Sequence, residues 1–370
     1  MSRFVLVHGA FAGAWIWGPL MDRLKAAGHA VEAFDLPGLG DDHTPVSQIT
    51  LDSCAARLCE VLAKSSEPAI VVGNSMGGII ATQGAARCPS RVAAIVYVAA
   101  FVPKDGQSLL DLTKLPEGAG DQVQANIVIE GEPPVAIMAT EASRQALYGS
   151  CTEEAAAWAI AKQRPQPVAP FATPVSISPG ALDGIRRYYV LTKRDRAIPP
   201  ALQRRMIAEN PFAGVVEFDT DHTPQLSMTD ELTQALLKLT SDVEYLNPPA
   251  LSTPTGYTHV VPVHRGRTIY IAGQVAFDKS GNVVGKGDFA AQATQVFENL
   301  KSALAAGGAT FDNLVKVTTF VTDLSQMQTL RTIRGKYYGK NSPASTLVQI
   351  TKLANEDLMI EIEAIAVVPE

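Results

Sequence analysis

The residue best suited to chemistry is a serine between two glycines, at a predicted turn from a strand into a helix. Four apolar residues, Ala69–Val72, lead into the pattern Gly73-x-Ser75-x-Gly77, and a helical pattern follows. Glycine suits so sharp a turn because a Cβ atom there would collide with neighbouring backbone. The turn would lift the Ser75 hydroxyl above the strand, and the free N–H groups and positive dipole end of the helix would point to the same place. The pattern predicts a nucleophilic serine.

A serine nucleophile needs a general base, and the sequence contains six histidines. His222 comes just after the predicted strand Gly214–Phe218. It would therefore lie at the sheet edge where Ser75 also emerges. We predict that His222 is the base.

The base in turn needs a carboxylate that orients it. Asp195 is the only carboxylate just after the preceding predicted strand, Tyr188–Thr192, and we predict that it has this role. Asp219 and Asp221 are rival acids that lie close to His222 in sequence. They would have to fold back to reach its ring, so they rank below Asp195.

The loop after the first predicted strand, Phe4–Val7, is rich in small residues that let backbone N–H groups turn towards the serine. We predict that the N–H groups of Ala10 and Met76 hold the oxyanion, and each such donor contributes about 10²–10³ in rate. Phe11 of the same loop is predicted to contact substrate. This mechanism requires no metal and no organic cofactor.

Apolar strand patterns alternate with helical patterns in roughly the first 240 residues. The predicted strands are Phe4–Val7, Ala30–Phe34, Ala69–Val72, Val92–Val98, Tyr188–Thr192 and Gly214–Phe218. The predicted helices lie around 15–27, 49–64, 76–87, 199–209 and 230–239. Strands that are apolar throughout and separated by helices predict an α/β fold with a parallel sheet covered on both faces. The region 103–185 interrupts this alternation and is predicted to be an inserted cap.

The length of 370 residues corresponds to about two domains, and 46% hydrophobic with 18% charged residues excludes a disordered chain. A Pro-rich stretch of ten residues, 247–256, cannot continue a helix and suits an interdomain connection. We therefore predict a first domain over 1–247, a linker over 248–256 and a second domain over 257–370.

Charge and composition also restrict the partners and the location. The net charge is −6 and no basic stripe is present, so a nucleic-acid partner is not expected. No window reaches the roughly 18–20 apolar residues of a membrane span, and the N-terminus lacks a leader pattern. The four cysteines have no zinc-ligand spacing, and free thiols in a reducing compartment are expected. We predict a cytoplasmic protein.

Several segments of the first domain resemble the plant methyl-salicylate esterase and hydroxynitrile lyase branch of the α/β hydrolases. The matching segments are Phe4-Val5-Leu6-Val7-His8-Gly9-Ala10, Asp35-Leu36-Pro37-Gly38-Leu39-Gly40, Ala99-Ala100-Phe101-Val102-Pro103 and Asp221-His222-Thr223-Pro224-Gln225-Leu226. The resemblance covers most of 3–240 and implies an α/β-hydrolase fold and a small-ester carboxylesterase with a capped, largely apolar pocket. The order of the predicted serine, acid and base along the chain matches that of this fold.

Lyases of this branch carry a threonine in the first loop and a lysine straight after the histidine turn. This sequence has Ala10 and Thr223 there, so no cation would stabilise departing cyanide and ester hydrolysis is favoured over lyase chemistry. A lactonase or amidase would use the same residues, and a binding protein without catalysis is the alternative of another class. Among the bulky apolar residues of the cap, which include Tyr148 and Phe171, we choose Met138 and Trp158 as substrate contacts.

The second domain has a different pattern of elements. The predicted hairpin arms, Thr268–Gln274 and Val275–Asp278, precede a helix over Phe289–Ala305. The pattern then continues through strand Leu314–Thr322, helix Met327–Tyr338 and strands Ser345–Ile350 and Met359–Val368. An α+β unit with one sheet and helices on one face is predicted.

Residues 251–370 resemble the RidA (YjgF/UK114) family over nearly their whole length. The matching segments include Thr268-Ile269-Tyr270-Ile271-Ala272-Gly273-Gln274, Pro343-Ala344-Ser345-Thr346-Leu347-Val348 and Ile360-Glu361-Ile362-Glu363-Ala364-Ile365-Ala366. The resemblance implies a chorismate-mutase-like fold and homotrimers with clefts between the subunits. Deaminase members of the family hydrolyse enamines and imines.

In those deaminases an arginine after the Pro-Ala pair holds the substrate carboxylate, whereas Ser345 stands at that place here. A hydroxyl cannot supply the charged fork that a carboxylate prefers. Tyr257 and Glu361 still match the family, so a small-molecule cleft is implied. We favour a domain that assembles trimers, and a second, deaminating activity is the alternative.

Overall fold

The computed structural model describes residues 2–339 and 341–368 and divides into two compact units. The first unit ends at Thr240 and the second begins at Ser241. The predicted linker, 248–256, therefore lies within the second unit. The outer ends of the two predicted domains, 1 and 369–370, lie outside the described residues.

A parallel sheet forms the centre of the first unit. The strands described in this unit are, in chain order, β1 (Arg3–Val7), β2 (Ala30–Ala33), β3 (Ala69–Ser75), β4 (Val92–Ala100), β5 (Ile127–Glu130), β6 (Val135–Met138), β7 (Gln166–Pro167), β8 (Arg186–Thr192) and β9 (Gly214–Phe218). The central sheet has the order β2-β1-β3-β4-β8-β9, and every neighbouring pair is parallel. This is the α/β architecture predicted from the sequence.

Helices join these strands. The α-helices described in the first unit are α1 (Gly18–Ala26), α2 (Leu51–Ala63), α3 (Gly77–Arg87), α4 (Leu109–Thr113), α5 (Gln122–Asn126), α6 (Thr140–Leu147), α7 (Glu153–Ala161), α8 (Ala169–Ala172), α9 (Pro200–Glu209), α10 (Pro224–Ser227) and α11 (Thr229–Leu239). Short 3₁₀ turns lie at Ala14–Trp17, Val46–Gln48, Pro89–Arg91 and Pro116–Gly118. The five predicted helices correspond to α1, α2, α3, α9 and α11.

The segment 101–185 is an excursion between two strands that are neighbours in the sheet, β4 and β8. It contains the helices α4 to α8 and a small antiparallel sheet in the order β5-β6-β7. The excursion leaves the sheet at the carboxyl end of β4, which is also the edge at which β3 presents Ser75. This position lets its residues form walls around that serine.

The second unit has one mixed sheet. Its strands are β10 (Arg267–Val275), β11 (Leu314–Val321), β12 (Ala344–Gln349) and β13 (Ile360–Val368), in the order β10-β13-β11-β12. Its α-helices are α12 (Phe289–Ala306) and α13 (Met327–Arg334), and 3₁₀ turns lie at Phe311–Asn313 and Leu324–Gln326. Apolar residues of α12, among them Val296, Phe297 and Leu300, form a core with buried strand residues. The predicted α+β class with helices on one sheet face is confirmed.

The prediction of a second hairpin arm, Val275–Asp278, is wrong. Strand β10 pairs with β13 instead, and the following segment makes only an isolated bridge between Phe277 and Val283. The Asp278 carboxylate accepts hydrogen bonds from the N–H groups of Ser280 (2.8 Å) and Asn282 (2.9 Å). The local hydrogen bonds of this turn thus replace those of a strand.

The expectation of free thiols is wrong for two of the four cysteines. Cys59 of α2 and Cys88, which directly follows α3, form a disulfide with a Cα–Cα separation of 6.1 Å. The two helices pack against each other, and this packing places the two side chains together. Cys54 and Cys151 are free and buried.

The residues that the structure describes include neither a membrane-spanning helix nor a cluster of metal ligands. Among the helices that the structure describes, none combines the length and the apolar character needed to cross a bilayer. Within the same residues, no group of three or more His, Cys, Asp or Glu side chains is arranged to hold a metal ion. The cytoplasmic location stays a prediction.

Candidate active site

The turn from β3 into α3 holds Ser75 in a strained backbone conformation. Its φ angle is +57°, in the left-handed region that residues with a side chain rarely adopt. A Cβ atom at Gly73 would lie 2.5 Å from the Gly77 carbonyl oxygen, and one at Gly77 would lie 2.4 Å from the Val7 carbonyl oxygen. Both contacts are with backbone, so the turn requires glycine at the two positions that the motif specifies.

His222 and Asp195 are buried and in direct contact. The ring atom His222 Nδ1 lies 2.9 Å from Asp195 Oδ2 and 3.1 Å from Asp195 Oδ1. A carboxylate at this place makes Nδ1 the protonated ring atom and leaves Nε2 as the acceptor. An imidazole held in this way has the orientation that a general base requires.

Surrounding donors fix the Asp195 carboxylate. Oδ1 accepts from the backbone N–H groups of Ala197 and Ile198, each at 2.8 Å. Oδ2 accepts from Thr192 Oγ1 at 2.9 Å and from Gln203 Nε2 at 3.0 Å. These bonds satisfy a buried charge that would otherwise be costly.

The rival acids have other partners. Asp219 is largely exposed and pairs with Arg194. Asp221 is buried, and its carboxylate accepts from the N–H groups of Ser150 (2.6 Å) and Thr223 (3.4 Å). Within the described contacts, neither carboxylate bonds the His222 ring.

Asn74 ties the serine turn to the histidine loop, a role that the sequence analysis did not identify. Its Nδ2 donates to the Val98 carbonyl (2.9 Å) and to the His222 carbonyl (3.2 Å). Gln225 Nε2 donates in turn to Asn74 Oδ1 at 3.1 Å. The contacts of Asn74 with His222 and Gln225 join residues that are 148 and 151 positions apart, and no local sequence signal predicts them.

Two cavities share Ser75, Ala10 and Val123 in their linings. The first, which we call the histidine lobe, has an empty volume of about 370 Å³, part of it open to solvent, and its walls include His222, Phe11 and Tyr148. The second, which we call the Asp121 lobe, has an empty volume of about 310 Å³ and includes Met76, Asp121, Phe101, Phe171 and Ile198. Apolar side chains dominate both linings. Among the described residues of either lining there is no lysine or arginine.

The two predicted oxyanion donors lie at these cavities. Ala10 lines both lobes and Met76 lines the Asp121 lobe. In the part of the chain that the structure describes, neither backbone N–H donates to another group. An unpaired backbone N–H group at such a cavity is free to donate a hydrogen bond to a ligand oxygen.

Buried His8 orders the loop that carries Ala10. Its Nδ1 lies 2.8 Å from the Gly9 carbonyl, and its Nε2 accepts from the Leu36 N–H at 3.0 Å. Burial lowers the pKa of His8 against the raising effects of the Gly9 bond and of the Asp35 charge. The ring is thus neutral and structural, with Nδ1 as the protonated atom.

The pKa of His222 lies above its ordinary value of 6.5. Burial alone would lower this pKa, but the charge and hydrogen bond of Asp195 raise it, and the charges of Asp221 and Asp121 add to that effect. The imidazole is therefore a stronger base than a free histidine.

The predicted pocket residues have different surroundings. Phe11 lines the histidine lobe, with a φ of +65° and its N–H donating to Gln166. As far as the described linings go, Met138 and Trp158 line neither lobe, and their role as substrate contacts stays a prediction. Met138 ends β6 in the core, and Trp158 is 40% exposed with its ring edge-on to Trp15 at 5.1 Å. Tyr148 and Phe171, the other bulky cap residues, do line the lobes.

The predicted cleft residues of the second unit do not share one face of its sheet. Ser345 pairs with Val317, which faces the helix-covered core, whereas Glu361 pairs with Phe320, three positions along β11. Because side chains alternate along a strand, Ser345 and Glu361 belong to opposite faces. Tyr257 precedes the bridge between Thr258 and Ala344 and packs on His259 at 5.1 Å. Within one chain, these three residues do not form a single cleft.

Comparison with known proteins places both parts of the chain in families. The model of the alpha/beta hydrolase family matches residues 4–235, and the model described as Endoribonuclease L-PSP matches residues 248–368. Methylesterase 7 of Arabidopsis thaliana is 34% identical over 253 residues, which cover 64% of this chain and 96% of the relative.

Two further relatives are a longer methylesterase and a hydroxynitrile lyase. Putative methylesterase 11, chloroplastic, of Arabidopsis thaliana is 32% identical over 248 residues, and the match covers 64% of each protein, so this chain spans less than two thirds of that relative. Alpha-hydroxynitrile lyase of the same organism is 31% identical over 253 residues, 65% of this chain and 97% of the lyase.

Solved structures match the first unit as well. A mutant of polyneuridine aldehyde esterase has a TM-score of 0.59 and 25% identity, covering 65% of this chain and 99% of that one. A pyrethroid hydrolase from Sphingobium faniae has a TM-score of 0.59 and 26% identity, covering 64% and 95%. The chain belongs to the alpha/beta hydrolase family, and a domain of the RidA/L-PSP type follows its hydrolase domain.

Proposed function

We propose that the hydrolase domain is a serine carboxylesterase that cleaves small carboxylic esters through an acyl-enzyme intermediate. The observation that carries the proposal is that Ser75 and His222 line one cavity while His222 is held by Asp195. The similarity to methylesterases and to esterase structures supports it.

In the proposed mechanism, Ser75 Oγ attacks the ester carbonyl and His222 Nε2 takes its proton. The oxyanion accepts hydrogen bonds from the N–H groups of Ala10 and Met76. The tetrahedral intermediate collapses, the C–O bond to the alcohol breaks, and His222 returns the proton to the leaving oxygen. Water then attacks the acyl-serine with His222 as base, and a second collapse releases the acid and restores the serine.

A panel of p-nitrophenyl and methyl esters, graded by acyl and alcohol length, tests this function and ranks the substrates. Hydrolysis of short apolar esters is expected, because both lobes are small and mostly apolar. Matched lactones and amides in the same panel decide between esterase, lactonase and amidase. Absence of turnover across the panel would contradict the proposal.

Cyanohydrin cleavage is the second candidate, because a relative named alpha-hydroxynitrile lyase is 31% identical. Thr223, which follows the histidine, donates its hydroxyl to the Leu147 carbonyl at 2.6 Å. Among the described lining residues there is no lysine or arginine whose positive charge could stabilise the departing cyanide. Aldehyde release from an aromatic cyanohydrin, in excess of the reaction without enzyme, would favour lyase chemistry.

The acid limb of the pH–rate profile is expected to lie above pH 6.5. The base must be neutral to accept the serine proton, and the pKa of His222 is raised. As pH falls through that pKa, kcat/KM for p-nitrophenyl acetate should therefore fall. Asp221→Asn removes one of the charges that raise the pKa, so the limb should move to lower pH. A limb that stays in place or moves upward in this variant would contradict the assignment.

We also propose that the RidA-like domain assembles the chain into homotrimers. The sheet face turned away from α12 carries exposed apolar side chains, with Tyr270 79% and Val348 40% exposed. Exposed apolar side chains on a sheet face favour contact of that face with another protein surface. The resemblance to a trimeric family supports three copies of this chain as the assembly.

The solution mass of the whole chain should then be about three times that of one chain, as measured by light scattering. Tyr270→Arg should shift the mass towards the monomer, because it places a charge in the proposed interface. Val128→Arg is the control, since Val128 is 59% exposed and belongs to the hydrolase domain rather than to the RidA-like domain. A monomeric mass for the unmodified chain would remove the proposal.

A further inference from the structure

The Asp121 lobe contains a buried carboxylate that the proposed mechanism does not use. Asp121 is 7% exposed and lines the same lobe as Ser75 and Met76. Its Oδ1 accepts from the N–H groups of Val123 (2.8 Å) and Gln124 (2.9 Å), and so caps helix α5. Within the described contacts, Oδ2 has no hydrogen-bond partner. One oxygen thus completes the cap, and the other remains available in the cavity.

The walls around this carboxylate are mostly apolar. Beside Ser75 and Gln124, the lobe is built from apolar side chains such as Phe101, Leu109, Phe171 and Ile198. Burial raises the pKa of Asp121 to about 6, against the lowering effect of its two N–H donors. A largely buried carboxylate with a free oxygen is satisfied best by a ligand that donates a hydrogen bond.

The proposed acid–base chemistry does not need Asp121. The His222 ring bonds Asp195 through Nδ1, and Asp121 acts on the ring only through its charge. The cap does not require a second oxygen either, because Ser, Thr or Asn can cap a helix with a single acceptor. The free oxygen of a residue that lines the same lobe as Ser75 therefore points to recognition of the substrate.

We infer that Asp121 binds a hydroxyl or protonated amine of the substrate, so that the enzyme selects esters with an apolar body and one such donor. The inference rests on the proposed esterase function. The carboxylate would accept the donor's hydrogen through Oδ2, while the aromatic and aliphatic walls cover the carbon chain. A free carboxylate at the same place would be repelled.

The test compares p-nitrophenyl esters that differ only at the end of the acyl chain. One set consists of the 3-hydroxypropanoate, 3-aminopropanoate and butanoate, and a longer set of the 6-hydroxyhexanoate, 6-aminohexanoate and heptanoate. The readout is the ratio of kcat/KM for each donor ester to that for its methyl-ended isostere. In at least one set the unmodified enzyme should prefer the donor esters, and Asp121→Asn should lower the ratio for the ammonium ester by at least about 10-fold.

Asp111→Asn is the matched control. Asp111 is an exposed acid in the first turn of α4, where it accepts from the Ser108 N–H at 3.0 Å, and it lines neither lobe. The ratios should be unchanged in this variant. Asn at position 121 keeps an acceptor for the cap, and tryptophan fluorescence checks that the variant folds. Equal ratios in Asp121→Asn and in the unmodified enzyme would overturn the inference.

A binding measurement separates this inference from the esterase proposal. Calorimetry should detect binding of methyl 6-aminohexanoate to the Ser75→Ala variant. In the double variant that also carries Asp121→Asn, this binding should be weaker by at least about 10-fold. Binding that depends on Asp121 in an enzyme that hydrolyses no ester would refute the esterase alone. Ester turnover with neither binding nor selectivity dependent on Asp121 would refute the inference alone.

Discussion

Replacing Ser75 with alanine is expected to lower kcat/KM for p-nitrophenyl acetate by about 10⁴-fold or more, because the proposed mechanism loses its nucleophile. The turn itself should survive, since alanine keeps the Cβ atom that Ser75 already carries at a φ of +57°. Folding can be followed by tryptophan fluorescence, because the three tryptophans, Trp15, Trp17 and Trp158, all lie in the hydrolase unit.

Covalent labelling by a fluorophosphonate gives an independent readout of the same change. The unmodified enzyme should be labelled and Ser75→Ala should not, because only an activated serine attacks the phosphorus atom. Ser66→Ala is the control, since Ser66 is an exposed serine in the turn before β3. Hydrolysis at the unmodified rate in Ser75→Ala would rule out the mechanism. A protein that merely binds ligands would not be labelled at all.

Replacing Gly77 with alanine is expected to lower the free energy of unfolding of the hydrolase unit by about 2–4 kcal/mol. The added Cβ would lie 2.4 Å from the Val7 carbonyl oxygen and 2.9 Å from that of His8. Both are backbone atoms of the central sheet and of the loop that follows it, so they cannot rotate away as a side chain would. Relief requires α3 or β1 to move, and β1 carries the loop with Ala10.

Gly18→Ala provides the matched control for this prediction. Nothing lies within 4 Å of a Cβ atom built at Gly18, which begins α1 with helical backbone angles. The same substitution should there change stability by no more than about 1 kcal/mol, in the stabilising direction. Urea unfolding followed by tryptophan fluorescence measures both variants. Equal urea midpoints for Gly77→Ala and Gly18→Ala would show that the serine turn tolerates a methyl group. That result would refute the steric account.

Much of the hydrolase fold is predictable from sequence patterns that span only a few residues. The apolar run before Gly73 and the glycine spacing around Ser75 are consequences of a buried strand and a tight turn, and both are short-range. His222 and Asp195 could be proposed because each follows a strand, and parallel strands end at one edge of a sheet. The loop that carries Ala10 is predictable for the same reason, because it follows strand β1.

Other features depend on packing between distant parts of the chain, and the sequence alone did not predict them. Asn74 meets the His222 backbone, and Cys59 meets Cys88, only after helices and loops have docked. The apolar character of Met138 is compatible with a pocket as well as with the core that apolar residues usually join, so composition alone does not decide its place. The turn held by Asp278 was mistaken for a strand because its flanking residues are apolar.

The excursion between β4 and β8 separates two tasks along the chain. Ser75, Asp195 and His222 all come from the frame of the central sheet, whereas Asp121, Tyr148 and Phe171 come from 101–185. Because β4 and β8 pair directly, the sheet closes without help from the intervening segment. Exchange of that segment, by evolution or by loop engineering, is therefore expected to alter which molecules are accepted while the three proposed catalytic residues keep their places.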